Sequence, residues 1–248
     1  TAIIQARANS QRLPGKVLKD ICGKPSLQRM IERVKFSNTI DEIIVATSDC
    51  KNDKEIIKIC KLLKINYFIG SELNVLERFY KASKKFNAKH IIRITADCPL
   101  VDPALIKSMY KMYKNEKCDY LSNILPPSFP DGYDVEIFNK KTLVEANTKA
   151  KKKSDREHVT PYMKKNFRTL NIHSKDLKYN KQGKIVSKKM SQRAKKEKEV
   201  IKAKAEQEKE LKIQRKVITS KSSIQQFKKV GEIVSISYPL TNALPGPT

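Results

Sequence analysis

Short runs of Ile, Val and Ala alternate with longer stretches of helical period through the first half of the chain. Ala2 to Gln5, Glu42 to Thr47 (EIIVAT), Tyr67 to Ile69 and His90 to Thr95 (HIIRIT) have strand length and strand composition. The segments between them repeat apolar residues at helical spacing. Ser26 to Phe36 places Leu27, Met30, Ile31 and Val34 on one face, and Asp53 to Leu63 places Ile56, Ile57, Cys60 and Leu63 there. Asn74 to Phe86 carries Val75, Leu76, Phe79, Tyr80 and Ala82, and Pro103 to Tyr113 is a fourth helix. Unbroken apolar strands separated by helices predict βαβ units around a mostly parallel sheet covered on both faces.

After Tyr120 the rhythm changes. Pro126 to Gly132 (PPSFPDG) is a turn-rich loop, and Asp134 to Phe138 reads as a strand. Thr142 to Lys149 and Asp155 to Asn166 read as helices, and Arg168 to His173 as a further strand. Together they predict a mixed edge built onto the parallel sheet. From Lys188 to Val217 there is neither Gly nor Pro, and the apolar residues are too sparse for a heptad seam. That stretch reads as a solvated helix or a disordered basic arm. Val230 to Leu240 is either one more strand or unordered.

Composition sharpens this division. At 248 residues, 39% hydrophobic and without Trp, the chain can hold one sizeable α/β domain and an appendage. The net charge is +26. Up to Ser174 there are 33 Lys and Arg against 19 Asp and Glu; from Lys175 onward there are 19 against 7, so the positive surplus per residue roughly doubles in the tail. Such a balance favours anionic partners such as nucleotides, nucleic acid or an anionic surface, although a Lys-, Ile- and Asn-rich codon bias contributes to it. The tail holds few aromatics, so nucleic acid would bind it through charge alone, without base stacking. Five cysteines without a CxxC pair read as reduced thiols of a cytoplasmic protein. No apolar run reaches the eighteen or so residues of a membrane span, and no signal peptide is visible. The absence of an initial Met, with Ala2 already in a strand, suggests that a few residues have been lost.

In open α/β sheets ligands bind beyond the carboxyl ends of the strands. After the first strand come Arg7, Asn9, Ser10, Arg12 and Lys16, closed by Leu13-Pro14-Gly15. This loop has neither GxGxxG nor the Walker pattern, so any phosphate it binds is held by side-chain charge. A basic loop is also commonly just a solvated surface. Ala46-Thr47-Ser48-Asp49 follows the second strand, and Asp97 follows the strand His90 to Thr95. Asp97 is either a helix-capping residue or a ligand for a hard cation such as magnesium. Asp102-Pro103 reads as an N-cap with Pro at the first helical position.

Three segments, IIQARANSQRLPGKVL, RITADCPLVDP and SDREHVTPYMKKNF, resemble the cytidylyltransferase family of sugar-nucleotide synthesis. The likeness is to the spore-coat polysaccharide type, related to the acylneuraminate and 3-deoxy-manno-octulosonate cytidylyltransferases. IIVATSD, GSELNVLERFY and PDGYDVEIF fall in the family's order, and the resemblance covers Thr1 to about Lys178. It implies a Rossmann-like, GT-A-like nucleotidyltransferase domain over 1–178, with 179–248 a basic tail outside it. The activity it implies is transfer of CMP from CTP to an acidic sugar, with magnesium as cofactor and release of pyrophosphate, for surface polysaccharide. A homodimer is also implied.

The resemblance assigns roles residue by residue. Ala6 and Arg7 would border the base, Ser10 would bind the nucleotide beside them, and Arg12 and Lys16 would meet the triphosphate. Ala46, Thr47 and Asp49 would line the nucleotide, and Asp97 would be the magnesium carboxylate. Asp131, Asp134 and Glu136, with Arg156, Glu157 and His158, would border the sugar. His158 is equally readable as a structural residue.

Relatives of this type continue into an acidic DTPEDF-like segment that supplies a second magnesium carboxylate. Here the chain runs HSKDLKYN into the Lys/Glu-rich tail, and Asp176 is its last Asp. Three readings compete: a foreign ending on a truncated enzyme, a repurposed nucleotide-binding or interaction module, and a site that works with one carboxylate. The first best explains why composition and resemblance break at nearly the same residue. A GT-A-type glycosyltransferase is the enzymatic alternative, but Asp97-Cys98-Pro99 lacks the second Asp of a DxD motif.

Overall fold

The computed structural model describes residues 1–10, 12–179 and 185–187, all within a unit spanning Thr1–Ser191. Residues 188–217 and 230–240, on which the tail helix and last strand were expected, lie outside the described residues.

The apolar runs become the strands β1 (Ala2–Gln5), β2 (Ile43–Ser48), β3 (Asn66–Gly70) and β4 (His90–Thr95). β1 pairs in parallel with β2 and β4, and β2 pairs in parallel with β3. The connecting helices are α1 (Ser26–Lys35), α2 (Lys54–Leu62), α3 (Val75–Lys85) and α4 (Pro103–Glu116). Asn74 caps α3 by accepting from the Glu77 amide at 3.2 Å, and Asp102 caps α4 by accepting from the Ala104 amide at 2.7 Å.

The mixed edge is built from β5 (Tyr120–Ser122), β6 (Glu136–Asn139) and β7 (Thr169–Asn171). The seven strands lie in the order β3-β2-β1-β4-β6-β5-β7, and only β6 runs against its neighbours. β5 was not expected from the sequence, because three residues are too few to show a period. A two-stranded antiparallel pair, β8 (Leu177–Tyr179) and β9 (Ile185–Ser187), follows.

Alternate side chains of the parallel strands feed two cores. Ala2, Ile4, Val45, Ile92 and Ile94 meet α1, α2 and α4 on one face. Ile3, Ile44, Ala46 and Ile91 meet α3, α5 (Lys140–Lys149) and α7 (Pro161–Asn166) on the other. This period of two explains why the strands read as unbroken apolar runs: both of their faces are covered.

The expected helix Asp155 to Asn166 is in fact two, α6 (Lys153–His158) and α7. Pro161 takes the first position of α7, where its missing amide costs no helical hydrogen bond. Val159 takes φ 69° and ψ −54°, and the Thr160 amide donates to the His158 carbonyl at 2.8 Å. That is a γ-turn, a strained conformation for a β-branched residue. No described helix is long and apolar enough to cross a membrane.

Candidate active site

The carboxyl ends of β1, β2 and β4 lie side by side, so the segments that follow them converge. Ala6 donates to the Ala46 carbonyl at 3.1 Å and Ala96 donates to the Gln5 carbonyl at 2.9 Å, which carries the pairing just past the strands. The loop after β1 then folds on itself. The Ser10 and Gly15 amides both donate to the Ala8 carbonyl, at 2.9 and 2.8 Å. Gly15 has φ +66°, a left-handed conformation that a side chain would strain, and it turns the chain so that Lys16 comes back over the sheet end.

Asp53 fixes this loop in place. It is fully buried at the start of α2 and accepts from the Ala8 amide at 2.7 Å, the Thr47 hydroxyl at 2.8 Å, and the Ser48 amide and hydroxyl at 2.9 and 2.5 Å. One carboxylate therefore ties the β1 loop to the end of β2. Asn52 adds a contact to Asn9 at 2.9 Å. Asp53 was not among the expected site residues, since in sequence it reads only as an acid at a helix start.

The residues read as nucleotide-lining sit at the carboxyl ends of β1 and β2 or in the segments that follow them. Ala6, Ala46 and Thr47 are buried at the strand ends; Arg7, Ser10 and Lys16 are half-buried; Arg12 and Asp49 are exposed. Neither Arg7 nor Arg12 is ion-paired among the described residues. Lys16 Nζ lies 2.5 Å from Asp97 Oδ2, joining the ends of β1 and β4. Burial works against the Asp97 carboxylate, but hydrogen bonds from Lys16 and Thr95 outweigh it and hold its pKa below the usual range.

Arg78 is a second residue with no signal in the sequence beyond its helical position. It is fully buried, and its Nη1 donates to the Ser71 carbonyl at 2.8 Å while Nε and Nη2 have no partner among the described residues. Burial lowers its pKa to about 10, with Asp53, Arg7, Glu72 and Asp49 as its charged neighbours.

The six residues assigned to a sugar separate into three groups. Asp131 and Asp134 are exposed, and Asp134 lies within electrostatic reach of both Asp131 and Asp97. Because β6 runs antiparallel to β4, its amino end lies beside the carboxyl end of β4, with Arg93 opposite Glu136. Asn123 holds the approach to β6: its Nδ2 donates to the Tyr133 carbonyl at 2.8 Å and its Oδ1 accepts from the Val135 amide at 2.9 Å. Asp134 carries a raised pKa through partial burial and the negative charges of Glu136, Asp131 and Asp97.

Glu136 is buried, and its oxygens are engaged by Arg93, by Lys164 at 3.2 Å, by the Tyr120 hydroxyl at 2.5 Å and by the Thr160 hydroxyl at 2.7 Å. Burial alone would raise its pKa, but Arg93 and Lys164 bring it down to about 2. Its position is that of a hub joining β4, β5, β6 and α7.

Arg156 spends its guanidinium on Asn74 Oδ1, Asn147 and the Ala150 carbonyl, at 3.0 to 3.2 Å. Glu157 lines a cleft of about 320 Å³ with Leu73, Asn74, Lys151, Lys153 and Arg156. His158 is exposed at the end of α6. Within REHVTPY, then, Arg156 and Thr160 hold the structure and His158 faces solvent.

Among the described residues no group of three or more His, Cys, Asp or Glu forms a metal cage. Magnesium does not need one, since it binds through one or two carboxylates together with substrate phosphates and water. Asp97, already holding a cation, suits that role.

A family model described as cytidylyltransferase matches residues 1–233, a span that runs past Lys178 into the basic tail. The spore coat polysaccharide biosynthesis protein SpsF of Bacillus subtilis is 35% identical over 167 residues, 65% of this chain and 68% of that protein. The mitochondrial 3-deoxy-manno-octulosonate cytidylyltransferase of Arabidopsis thaliana is 37% identical over 113 residues, 44% of this chain and only 38% of the plant enzyme. A solved cytidylyltransferase from Leptospira borgpetersenii superposes with a TM-score of 0.67 at 31% identity, over 70% of this chain and 75% of that one. With the basic loop after β1 and Asp97 after β4 meeting at the carboxyl ends of the central strands, and a family model matched from residue 1 to 233, the chain belongs to the cytidylyltransferase family.

Proposed function

We propose that the protein transfers CMP from CTP to an acidic sugar and releases pyrophosphate, in the synthesis of surface polysaccharide. The observation that carries this reading is the meeting of Lys16 with Asp97 at 2.5 Å, beside the unpaired Arg7 and Arg12. A nucleoside triphosphate needs cations along its phosphates and a carboxylate for its metal, and this edge offers both.

In the reaction an oxygen of the acceptor attacks the α-phosphorus. The bond from that phosphorus to the oxygen bridging the β-phosphate breaks, and pyrophosphate leaves with the electron pair. An attacking hydroxyl gives its proton to solvent or to the departing pyrophosphate; an ionised phosphate has none to give. Arg12 and Lys16 would face the charge that grows on the leaving group, where fixed cations lower the barrier most. Arg7 and the backbone at Ala6 would border the base, held by the Ala8–Asp53 hydrogen bond.

Asp97 would hold magnesium, which supplies further neutralisation of the phosphates. Asp131 and Asp134 lie near enough to border an acceptor and would orient its hydroxyls. Because they are acidic, a carboxylated acceptor would turn its carboxylate away from them.

The test is pyrophosphate release by the full chain with CTP, Mg²⁺ and an eight- or nine-carbon keto-sugar acid. Asp97→Ala is expected to lower the rate by at least about a hundredfold, from the loss of charge stabilisation in the transition state. Absence of release with every such acid would contradict the reading.

A further inference from the structure

The ion pair between Lys16 and Asp97 raises a conflict, because the proposed reaction needs both partners elsewhere. Lys16 is to face phosphate, and Asp97 is to face a divalent cation. In the free protein they satisfy each other at 2.5 Å. Building on the proposed reaction, we infer that Lys16 is an exchangeable counter-ion that occupies the metal carboxylate until a metal–nucleotide arrives and takes both partners.

Three features support the exchange. First, the pair is accessible: the side chains of Lys16 and Asp97 are 29% and 43% exposed, so the ammonium can leave without opening the core. Exposed pairs of this kind contribute little to stability, so separating them costs little. Second, Lys16 sits just after the left-handed Gly15, in a short 3₁₀ turn from Lys16 to Leu18 whose only buried residue is Val17. Val17 anchors the turn, while the long Lys16 side chain can swing between an acceptor on β4 and one above the loop.

Third, the surroundings of Asp97 are acidic. The negative charges of Asp97, Asp131 and Glu136 all raise the pKa of Asp134, so carboxylates crowd this corner. Glu136 is neutralised by Arg93 and Lys164 and Asp97 by Lys16, while neither Asp131 nor Asp134 is ion-paired among the described residues. Once Lys16 moves to phosphate, Asp97 faces two uncompensated carboxylates, and a divalent cation becomes the favoured replacement. Departure of the lysine and arrival of the metal therefore favour one another. Without nucleotide the lysine keeps metal out; with it, the triphosphate draws the lysine away.

The exchange predicts opposite signs for two affinities of one variant. Mn²⁺ binding to the full chain without nucleotide, read by electron paramagnetic resonance, is expected to be about tenfold tighter in Lys16→Met than in the unaltered protein. Lys16→Arg is expected to bind Mn²⁺ as weakly as the unaltered chain, and Lys16→Met with Asp97→Asn is expected to lose the gain. In the same Lys16→Met protein, affinity for CTP with Mg²⁺ is expected to fall about tenfold. Thermal unfolding is expected to show all variants folded, since the pair is partly exposed.

Mn²⁺ affinity unchanged in Lys16→Met, or a gain that survives Asp97→Asn, would overturn the inference. Failure of the proposed activity gives a different result: an unaltered chain that ignores CTP with any divalent ion, whatever Lys16→Met does to Mn²⁺.

Discussion

Asp53 and Glu136 show how single buried carboxylates organise this protein, and each makes a separate prediction. Asp53 receives four hydrogen bonds from three residues of two different segments. Asp53→Ala leaves those donors unpaired and buried, so chemical denaturation is expected to show a loss of about 3 kcal/mol. CTP binding should weaken with it, because Ala8 loses its anchor. Glu136 is held at about 2, well below the ordinary carboxylate value of 4.5. Its folded pKa is depressed, so its contribution is complete above about pH 4.5 and is lost as the pH falls toward 2; at full size it is about 3 kcal/mol. Denaturation of Glu136→Gln should show lower stability at pH 7 and a shallower decline between pH 4.5 and 2 than the unaltered protein. The positions of the proposed nucleotide residues beyond β1 and β2 were legible in the sequence because they follow apolar strands. Arg93, Thr160 and Lys164 were not, because the partner that gives each its meaning lies on another element.

At the scale of elements, the β1 loop depends on one backbone conformation. A Cβ at Gly15 would meet nothing within 4 Å, so only its φ of +66° resists substitution. Gly15→Ala is therefore expected to cost about 1 kcal/mol and to weaken CTP binding with little change in the rest of the fold. Thermal unfolding beside a CTP titration would check this, and a variant that binds CTP normally would count against the loop's role. α1 makes a contrasting prediction. Leu27, Met30, Ile31 and Val34 are fully buried at the spacing visible in the sequence, and Leu27→Ala should cost 2–5 kcal/mol, the range of about two to five found for buried Leu. The parallel strands and first four helices were readable because burial on both faces leaves a plain apolar signature. The break between α6 and α7 falls just before Pro161, which the sequence does show, but the γ-turn at Val159 that makes it has no local signature. β5 is three residues long and takes its register from β6, which no local pattern encodes; β7, whose strand the sequence does show, pairs with β5.

For the whole molecule, the sheet order places the basic loop and the acidic corner at one edge, although 81 residues separate Lys16 from Asp97. No spacing in the sequence shows that approach; it follows from β1 and β4 being neighbours. The central claim is that this edge is a CTP site. Its most direct test is calorimetric titration of the full chain with CTP, UTP, ATP and GTP, each with and without Mg²⁺. The account predicts saturable binding of CTP in the presence of Mg²⁺, clearly tighter than that of the other three, and weakened by Asp97→Ala. Equal binding of all four nucleotides, or CTP binding indifferent to Mg²⁺ and to Asp97, would contradict it.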